Sequence, residues 1–318
     1  MDLFSWCCRR CLSISSAETS FEKRRFLSSS FDAQQQLERV GLTFLQGYHL
    51  ALEKGEDLKG LEHGLNLVKP EFRGFAFEGA AMGLALLDFM TPWKRNRIQT
   101  FLQGAGSAHV YMVHVGVGWM LARFPWQIKK TLQQLDPLMR WLAIDGYGFH
   151  EGYFHWPRYS NNQPIPRPIS GYGHRAFDQG LGRSLWFIKG ADVNAIATAI
   201  ANFAPTRHPD LWSGVGLACA YAGGVDQSTL ERLPGLAAAY QVQLAQGAAF
   251  AAKARCLAGN PAAHTDLACL VLCGLPAPAA VGVVDTALEG LPPDGIEPVY
   301  EVLRQRIQAH FSLQEAKV

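Results

Sequence analysis

Residues 213–224, SGVGLACAYAGG, decide the fold, because Gly214 begins an apolar run of small residues that reads GVGLACAY. Similar apolar runs begin at Gly47, Gly79, Gly116, Gly152, Gly180 and Gly247, at separations of 28 to 37 residues. Periods of this size are typical of helix-turn-helix repeats. A glycine inside a helix costs about 1 kcal/mol relative to alanine, so its recurrence indicates close contacts between crossing helices. The alternative is chance recurrence, since the chain contains 31 glycines.

Residue spacing inside these runs favours helices over strands. Leu217 and Tyr221, like Phe250 and Ala254, are four residues apart, and no segment alternates apolar and polar residues over the length of a strand. Turn-forming pairs such as Gly223-Gly224 separate the runs. The sequence therefore predicts an all-α fold of stacked helix-turn-helix repeats, as a TPR-like solenoid or a compact α-α array. We expect close helix crossings at Gly116, Gly180, Gly214 and Gly247.

Residues 157–172, PRYSNNQPIPRPISGY, interrupt the repeats with four prolines. Proline removes a backbone donor, so this stretch is predicted to be a long loop that could cover a site. The predicted organisation is a loosely ordered N-terminal tail, a helical-repeat half, the Pro-rich loop, a second repeat half and a C-terminal helical tail. Their bounds are 1–30, 31–156, 157–172, 173–275 and 276–318.

Composition limits the classes of protein. Hydrophobic residues make up 48% of the 318 residues, charged residues 18%, and the net charge is +2, which is a globular balance without a basic nucleic-acid footprint. Seven cysteines do not suggest a disulfide framework, and Cys8 and Cys11 form a lone CxxC that is weak evidence for zinc. The sequence shows no export signal or membrane span, so we expect a cytoplasmic protein with no transmembrane segment.

The segment 145–156, DGYGFHEGYFHW, is the richest in reactive side chains. In a regular helix Glu151 and His155 share a face, whereas His150 and His155 diverge by about 140°. A carboxylate beside an imidazole suits proton transfer, metal ligation with a third group, or a structural hydrogen bond between helices. The spacing is neither the HExxH zinc pattern nor a CxxC pair, so we assign no metal ligands, and the sequence leaves any cofactor open.

Two further polar clusters could meet this segment. His109 shares a helix face with Gly116 and is expected to point inward. In the helix opening near residue 174, polar residues four apart form stripes beside Gly180, either as a structural ion-pair network or as the polar part of a ligand cavity. We expect these groups to converge on one interior pocket lined by aromatic residues. The candidate catalytic residues are His150, Glu151, His155 and Asp178; the candidate ligand-binding residues are His109, Tyr147, Phe149, Tyr153, His174, Arg175, Arg183 and Trp186.

Several strings resemble the UnbL family, which is found in enediyne biosynthetic clusters. They are FRGFAFEGAAMG at 72–83, HVYMVHVGVGW at 109–119, LDPLMRWLAIDGYGFH at 135–150, DQGLGRSLWF at 178–187 and SGVGLACAYAGG at 213–224. The similarity spans about residues 20–275. It implies an accessory or tailoring role in the maturation of a polyene product of a polyketide synthase, and it assigns no catalytic residue.

Taken with the aromatic residues near the histidines, the resemblance leads to a functional expectation. The protein would hold an extended apolar, polyene-like small molecule in a helical cavity and assist its tailoring. The alternative is a noncatalytic scaffold, whose concave repeat surface binds a synthase or tailoring enzyme as a partner protein.

Overall fold

The computed structural model describes residues 12–28, 30–91, 93, 96–159 and 164–315, with side chains up to residue 313. The described residues contain helices, turns and loops, and no strand. The α-helices are α1 Phe21–Arg24, α2 Phe31–Lys54, α3 Leu58–Asn66, α4 Pro70–Met90, α5 Arg97–Gln103, α6 Val110–Arg123, α7 Ile128–Gln134, α8 Trp141–Tyr159, α9 Gly173–Ile188, α10 Val193–Ala201, α11 His208–Ala222, α12 Gln227–Leu230, α13 Leu233–Ala237, α14 Gln241–Leu257, α15 Ala263–Cys273, α16 Ala277–Leu288 and α17 Val299–Glu315. The predicted all-α class is confirmed.

Local sequence sets several helix ends. Ser30, Asp57 and Asp192 each precede a helix, and each side chain accepts a hydrogen bond from a backbone N–H of the first turn. This contact satisfies donors that have no partner within the helix. Gly274 adopts the left-handed conformation at the end of α15, which suits a residue without a Cβ.

Long helices alternate with short ones through most of the chain. The long helices pack in the order α2, α4, α6, α8, α9, α11 and α14, each against the next, and we call them the inner helices. The shorter α3, α5, α7 and α10, and the pair α12 and α13, each connect two successive inner helices. This arrangement confirms the stacked helix pairs that the sequence predicts.

Glycines lie where the inner helices cross. A Cβ on Gly116 would lie 2.1 Å from the carbonyl oxygen of Glu78, and Cβ atoms on Gly180, Gly214 and Gly247 would lie 1.8 to 2.0 Å from carbonyl oxygens of the preceding inner helix. No real Cβ contact is that short, so the helix backbones touch directly. The prediction of close crossings at these four glycines is confirmed.

A second glycine, two residues further on, lets one helix touch both of its neighbours. Cβ atoms on Gly182 and Gly216 would lie 2.1 and 2.0 Å from carbonyl oxygens of Leu211 and Leu244, in the following inner helix. Residues two apart on a helix are about 200° apart around its axis, so they face opposite sides. Each Gly-x-Gly therefore places one glycine against each neighbour.

One glycine of the sequence repeat is assigned to the wrong position. In α8 the residue equivalent to Gly180 is Gly146, whose Cβ would lie 2.0 Å from the carbonyl oxygen of Val115 in α6. A Cβ on Gly152 would instead meet the side chain of Ser184. The apolar run after Gly152 suggested that this residue was the repeat glycine of α8. The backbone contact shows that Gly146 is the equivalent residue.

The stack curves back on itself and forms a compact array. The Gln36 side chain at the start of α2 donates to the carbonyl of Ala222 at the end of α11, over 2.8 Å. Arg255 of α14 donates to the carbonyl of Glu71, next to the start of α4, over 3.1 Å. In α17, Arg304 is fully buried. The inner helices therefore surround an interior instead of forming an open superhelix.

The remaining sequence expectations concern cysteines and membrane spans. Cys219, Cys256, Cys269 and Cys273 are free thiols, whereas Cys8 and Cys11 lie outside the described residues. Within the described ranges no single helix has the length and apolar character to cross a membrane; α15 and α16 pass that test only when taken together, and they are bent by 68°.

Adding one methyl group at a crossing should destabilise the protein. In Gly214→Ala the new Cβ would meet the Gln179 carbonyl, and we expect the free energy of unfolding to fall by about 1–3 kcal/mol. Gly282→Ala in α16 is the matched control, because no atom lies within 4 Å of a Cβ there, and it should be neutral or stabilise by roughly 0.5–1 kcal/mol. Urea denaturation of both variants checks this. Equal stabilities of the two variants would contradict a close backbone crossing at Gly214.

Candidate functional site

A cavity of about 60 Å³ lies among six inner helices, α2, α4, α6, α8, α9 and α11. Aromatic side chains form much of its wall: Phe44, Phe75, Trp119, Phe149, Tyr153, Phe154, Phe187 and Tyr221. The rings contact one another, as in Phe44 and Trp119, whose centroids are 4.3 Å apart. The interior that the helices enclose is therefore an aromatic chamber with few polar groups.

Glu78 is the main acidic group in the cavity wall. Its side chain projects from α4, is 3% exposed, and accepts a hydrogen bond from Nε1 of Trp119 over 2.9 Å. Burial raises the pKa of Glu78 to about 7, against the opposing effects of Arg183 and of that hydrogen bond. A carboxyl group with this pKa can exchange a proton near neutral pH.

Arg183 is the cationic group of the same wall, and its charge is largely engaged elsewhere. Its guanidinium pairs with Asp145, and its centre lies 5.0 Å from the Phe149 ring centroid. Gln179 also donates to Asp145 over 2.8 Å. Although burial lowers the pKa of Arg183, Asp145 and Glu78 raise it more, so the guanidinium stays charged. Burial therefore dominates the pKa of Glu78, and Arg183 offsets it only in part.

The segment 12–28 covers one side of the cavity. Ile14, Glu18 and Thr19 contribute to the wall, and the Tyr153 hydroxyl donates to the carbonyl of Glu18 over 3.4 Å. Arg24 donates to the carbonyls of Tyr153 and Phe154 over 3.1 and 3.0 Å. The described residues of the Pro-rich loop, 164–172, do not line this cavity. The cover of the cavity is therefore an N-terminal segment that sequence reasoning assigned to a loose tail.

A kink in α8 explains why Arg24 finds those carbonyls. His155 has non-helical backbone angles, with φ −129° and ψ 24°, and Pro157 follows in a new helical turn that ends at Tyr159. Proline is tolerated in the first turn of a helix, where its N–H is not needed. The expectation that a loop starts at residue 157 is wrong for this reason. Pro157 gives the Tyr153 carbonyl no N–H partner, and Arg24 supplies one.

The kink also brings three candidate ligand side chains together. One donor atom from each of His150, Glu151 and His155 lies within 4.8 Å of the other two. In an unbroken helix His150 and His155 would diverge, so the sequence expectation for that pair is wrong. The Tyr159 hydroxyl donates to Oε2 of Glu151 over 2.8 Å. None of the three side chains lines the cavity, but His150 contacts Trp119, with ring centroids 5.5 Å apart.

Electrostatics sets the protonation states in this cluster. Burial lowers the pKa of His150, so its imidazole is neutral at physiological pH. Burial alone would raise the pKa of Glu151, but contact with His150 and the hydrogen bond from Tyr159 lower it on balance. The cluster thus combines a neutral imidazole with an ionised carboxylate.

The other predicted site residues lie in separate places. His109 stacks on Phe77 at 3.8 Å between centroids, and burial lowers the pKa of His109 to about 4. His174 donates to the carbonyl of Ile169 over 3.0 Å, and Asp178 accepts from Nε of Arg207 over 2.9 Å. None of these residues lines the cavity. The expectation of one pocket shared by all the polar candidates is therefore wrong.

The remaining candidates divide between the cavity wall and structural contacts. Phe149 and Tyr153 line the cavity, as expected of ligand-binding residues. Arg175 pairs with Asp210 and Glu301, and Trp186 donates through Nε1 to the carbonyl of Gly223 over 2.9 Å. Tyr147 is buried beside Phe177, with centroids 6.0 Å apart.

Sequence reasoning missed Glu78, although a signal was present. The string FAFEGAAMGLALL at 75–87 is apolar or small at every position except Glu78. A single carboxylate within such a run is expensive to bury unless it is protonated or paired. The sequence alone therefore indicates that the Glu78 carboxyl is either protonated or paired in the folded chain.

Titration of Glu78 should link stability to pH. Because the folded state raises its pKa to about 7, the folded chain keeps a proton that the unfolded chain releases between about pH 4.5 and 7. The resulting stabilisation, roughly 3 kcal/mol, is present below pH 4.5 and is lost as pH rises through 7. Glu78→Gln cannot ionise, so urea denaturation should show it gaining stability relative to the unmodified chain from pH 4.5 to 8. A constant difference would contradict the raised pKa.

Comparison with known proteins assigns a family without assigning a reaction. No curated protein and no solved structure matches the chain. Residues 3–311 match a family described as "Protein of unknown function (DUF1702)", and this match spans nearly the whole helical array. The chain therefore belongs to the DUF1702 family.

Proposed function

We propose that this protein binds one end of an extended apolar, conjugated chain in the aromatic cavity and assists its maturation, as the resemblance to the UnbL family implies. The observation that carries the proposal is the cavity wall, in which eight aromatic rings surround Glu78 and Arg183. Flat conjugated molecules pack favourably against aromatic faces, and a few polar groups fix their orientation.

The size of the cavity limits what it can hold. Its volume of about 60 Å³ is well below the roughly 300–1,000 Å³ of pockets that enclose drug-sized ligands. Only the end of a long chain fits while Ile14, Glu18 and Thr19 keep their positions in the wall. A longer portion enters once segment 12–28 moves aside. The polar contacts that then have to break include those of Arg24 and Tyr153 and the hydrogen bond from the Tyr48 hydroxyl to the Leu12 carbonyl.

Glu78 is the group proposed to act on the bound chain. With a pKa of about 7 it is protonated and ionised in similar amounts at neutral pH, so it can donate a proton to a conjugated carbon chain or accept one from it. Trp119 orients the carboxyl group through its hydrogen bond to Oε1. Arg183 lies in the same cavity wall, but because it is paired with Asp145 we assign it no part in the proton transfer.

A scaffold role is the second candidate, and exposed tryptophans favour it. Trp93 and Trp126 are 76% and 67% exposed, and Trp126 contacts Phe89 and Phe124, with ring centroids 6.5 and 5.5 Å away. Exposed aromatic residues are enriched where proteins bind one another. In this version the surface beside α4 and α6 binds a partner enzyme, and the cavity holds no ligand.

Binding of parinaric acid, a fluorescent conjugated fatty acid, separates the two candidates. We expect the unmodified chain to bind it, and Ala218→Leu to weaken that binding at least about tenfold, because Ala218 lines the cavity and the larger side chain fills it. Ala279→Leu, the same substitution at an exposed position of α16, should bind like the unmodified chain. Fluorescence titration of the three proteins gives the dissociation constants.

Two outcomes would contradict the cavity proposal. One is the absence of saturable binding to a folded, unmodified chain. The other is equal affinity in Ala218→Leu and Ala279→Leu, which would place the probe on the outer surface. Either outcome would favour the scaffold role over ligand binding in the cavity.

A further inference from the structure

The cluster of His150, Glu151 and His155 has the dimensions of a metal site. The Nδ1 atom of His150 lies 3.5 Å from Oε1 of Glu151, and donor atoms of all three residues lie within 4.8 Å of one another. Ligands about 2.1 Å from a tetrahedral zinc ion are roughly 3.4 Å apart. The first pair already has this separation, and a small rotation of the half-buried His155 ring would bring in the third ligand.

A second observation points to a missing partner in the same place. His150 is 7% exposed, and its Nδ1 atom has no hydrogen-bond partner. The 3.5 Å separation from Glu151 is too long for a strong hydrogen bond. Buried polar atoms in proteins are nearly always satisfied, so this nitrogen, close to a carboxylate oxygen, is open to a ligand that both atoms could bind.

Neighbouring side chains hold the cluster in a ligating arrangement. The Tyr159 hydroxyl binds Oε2 of Glu151, which leaves Oε1 directed toward His150. Hydrogen bonds of this kind orient metal-binding carboxylates. Trp119 and Phe154 pack against the His150 ring, with centroids 5.5 and 4.8 Å away, and limit its rotation. The arrangement depends on the α8 kink, since a straight helix would carry His155 away.

We propose that His150, Glu151 and His155 bind one divalent transition-metal ion, such as Zn²⁺, through two imidazole nitrogens and one carboxylate oxygen. Three protein ligands leave at least one coordination position open, which is the pattern of catalytic sites and not of closed structural ones. The proposal is independent of ligand binding in the cavity, because none of the three residues lines it.

Metal titration of the full chain tests the site. After removal of bound ions with a chelator, isothermal titration calorimetry with Zn²⁺ should show one site per chain. His155→Ala should weaken binding by about 100-fold or more, and Tyr159→Phe, which loses only the hydrogen bond to Glu151, by roughly tenfold. His63→Ala removes an exposed histidine of α3 and should change nothing.

A loss of zinc binding in these variants can be distinguished from a loss of folding. His155 is only partly buried, and circular dichroism and thermal melting report whether each variant keeps its structure. If His155→Ala unfolds, Tyr159→Phe still decides the question. The proposal is overturned if the unmodified chain takes up no stoichiometric Zn²⁺, or if folded His155→Ala and Tyr159→Phe bind as tightly as His63→Ala.

Discussion

Direct backbone contact at glycine crossings is the constraint on which the rest of this structure depends. Any Cβ at Gly180 or Gly214 would overlap a carbonyl oxygen of the neighbouring helix, so these positions set the distance and the register of the inner helices. Gln46, before Gly47 in α2, is exposed, whereas from α4 to α14 the residue before each crossing glycine lies in the interior. In five cases that residue is polar: Glu78, Asp145, Gln179, Ser213 and Gln246.

Four of these residues, Asp145, Gln179, Ser213 and Gln246, form a buried hydrogen-bonded network that follows the crossings. Asp145 binds Arg183 and Gln179, and the Ser213 hydroxyl donates to Gln246 over 3.0 Å. Arg304 of α17 donates to Gln246 over 3.2 Å. Partners within the network compensate the cost of burying these groups. Glu78 stands apart from this network: its hydrogen bond comes from Trp119, burial raises its pKa to about 7, and it faces the cavity.

The departure from this regular pattern is in α8, where the kink has consequences on two sides. It frees carbonyls that Arg24 binds, which fixes segment 12–28 over the cavity, and it turns His155 toward His150 and Glu151. A single local change in backbone direction thus helps to hold segment 12–28 over the cavity and also brings the side chains of the histidine and glutamate cluster together. Trp119 lies between the two sites, since it contacts His150 and also donates to Glu78.

The sequence predicts the fold well because helical offsets and recurring glycines are local signals. The register of Gly146 and the position of His155 depend on backbone contacts and a kink, which spacing rules for a straight helix cannot anticipate. The separate locations of His109 and Asp178 follow from partners distant in sequence, Phe77 and Arg207. The special environment of Glu78 could have been predicted from the sequence, because burying a single carboxylate in an apolar helix is costly.

The most direct test of the central claim, that the crossings enclose a ligand chamber, is a crystal structure of the chain grown with parinaric acid. The account predicts electron density for the conjugated chain between Trp119 and Tyr153, with one end beside Glu78 and segment 12–28 adjacent to it. Density for the probe on the outer surface, with the interior closed by side chains, would contradict it.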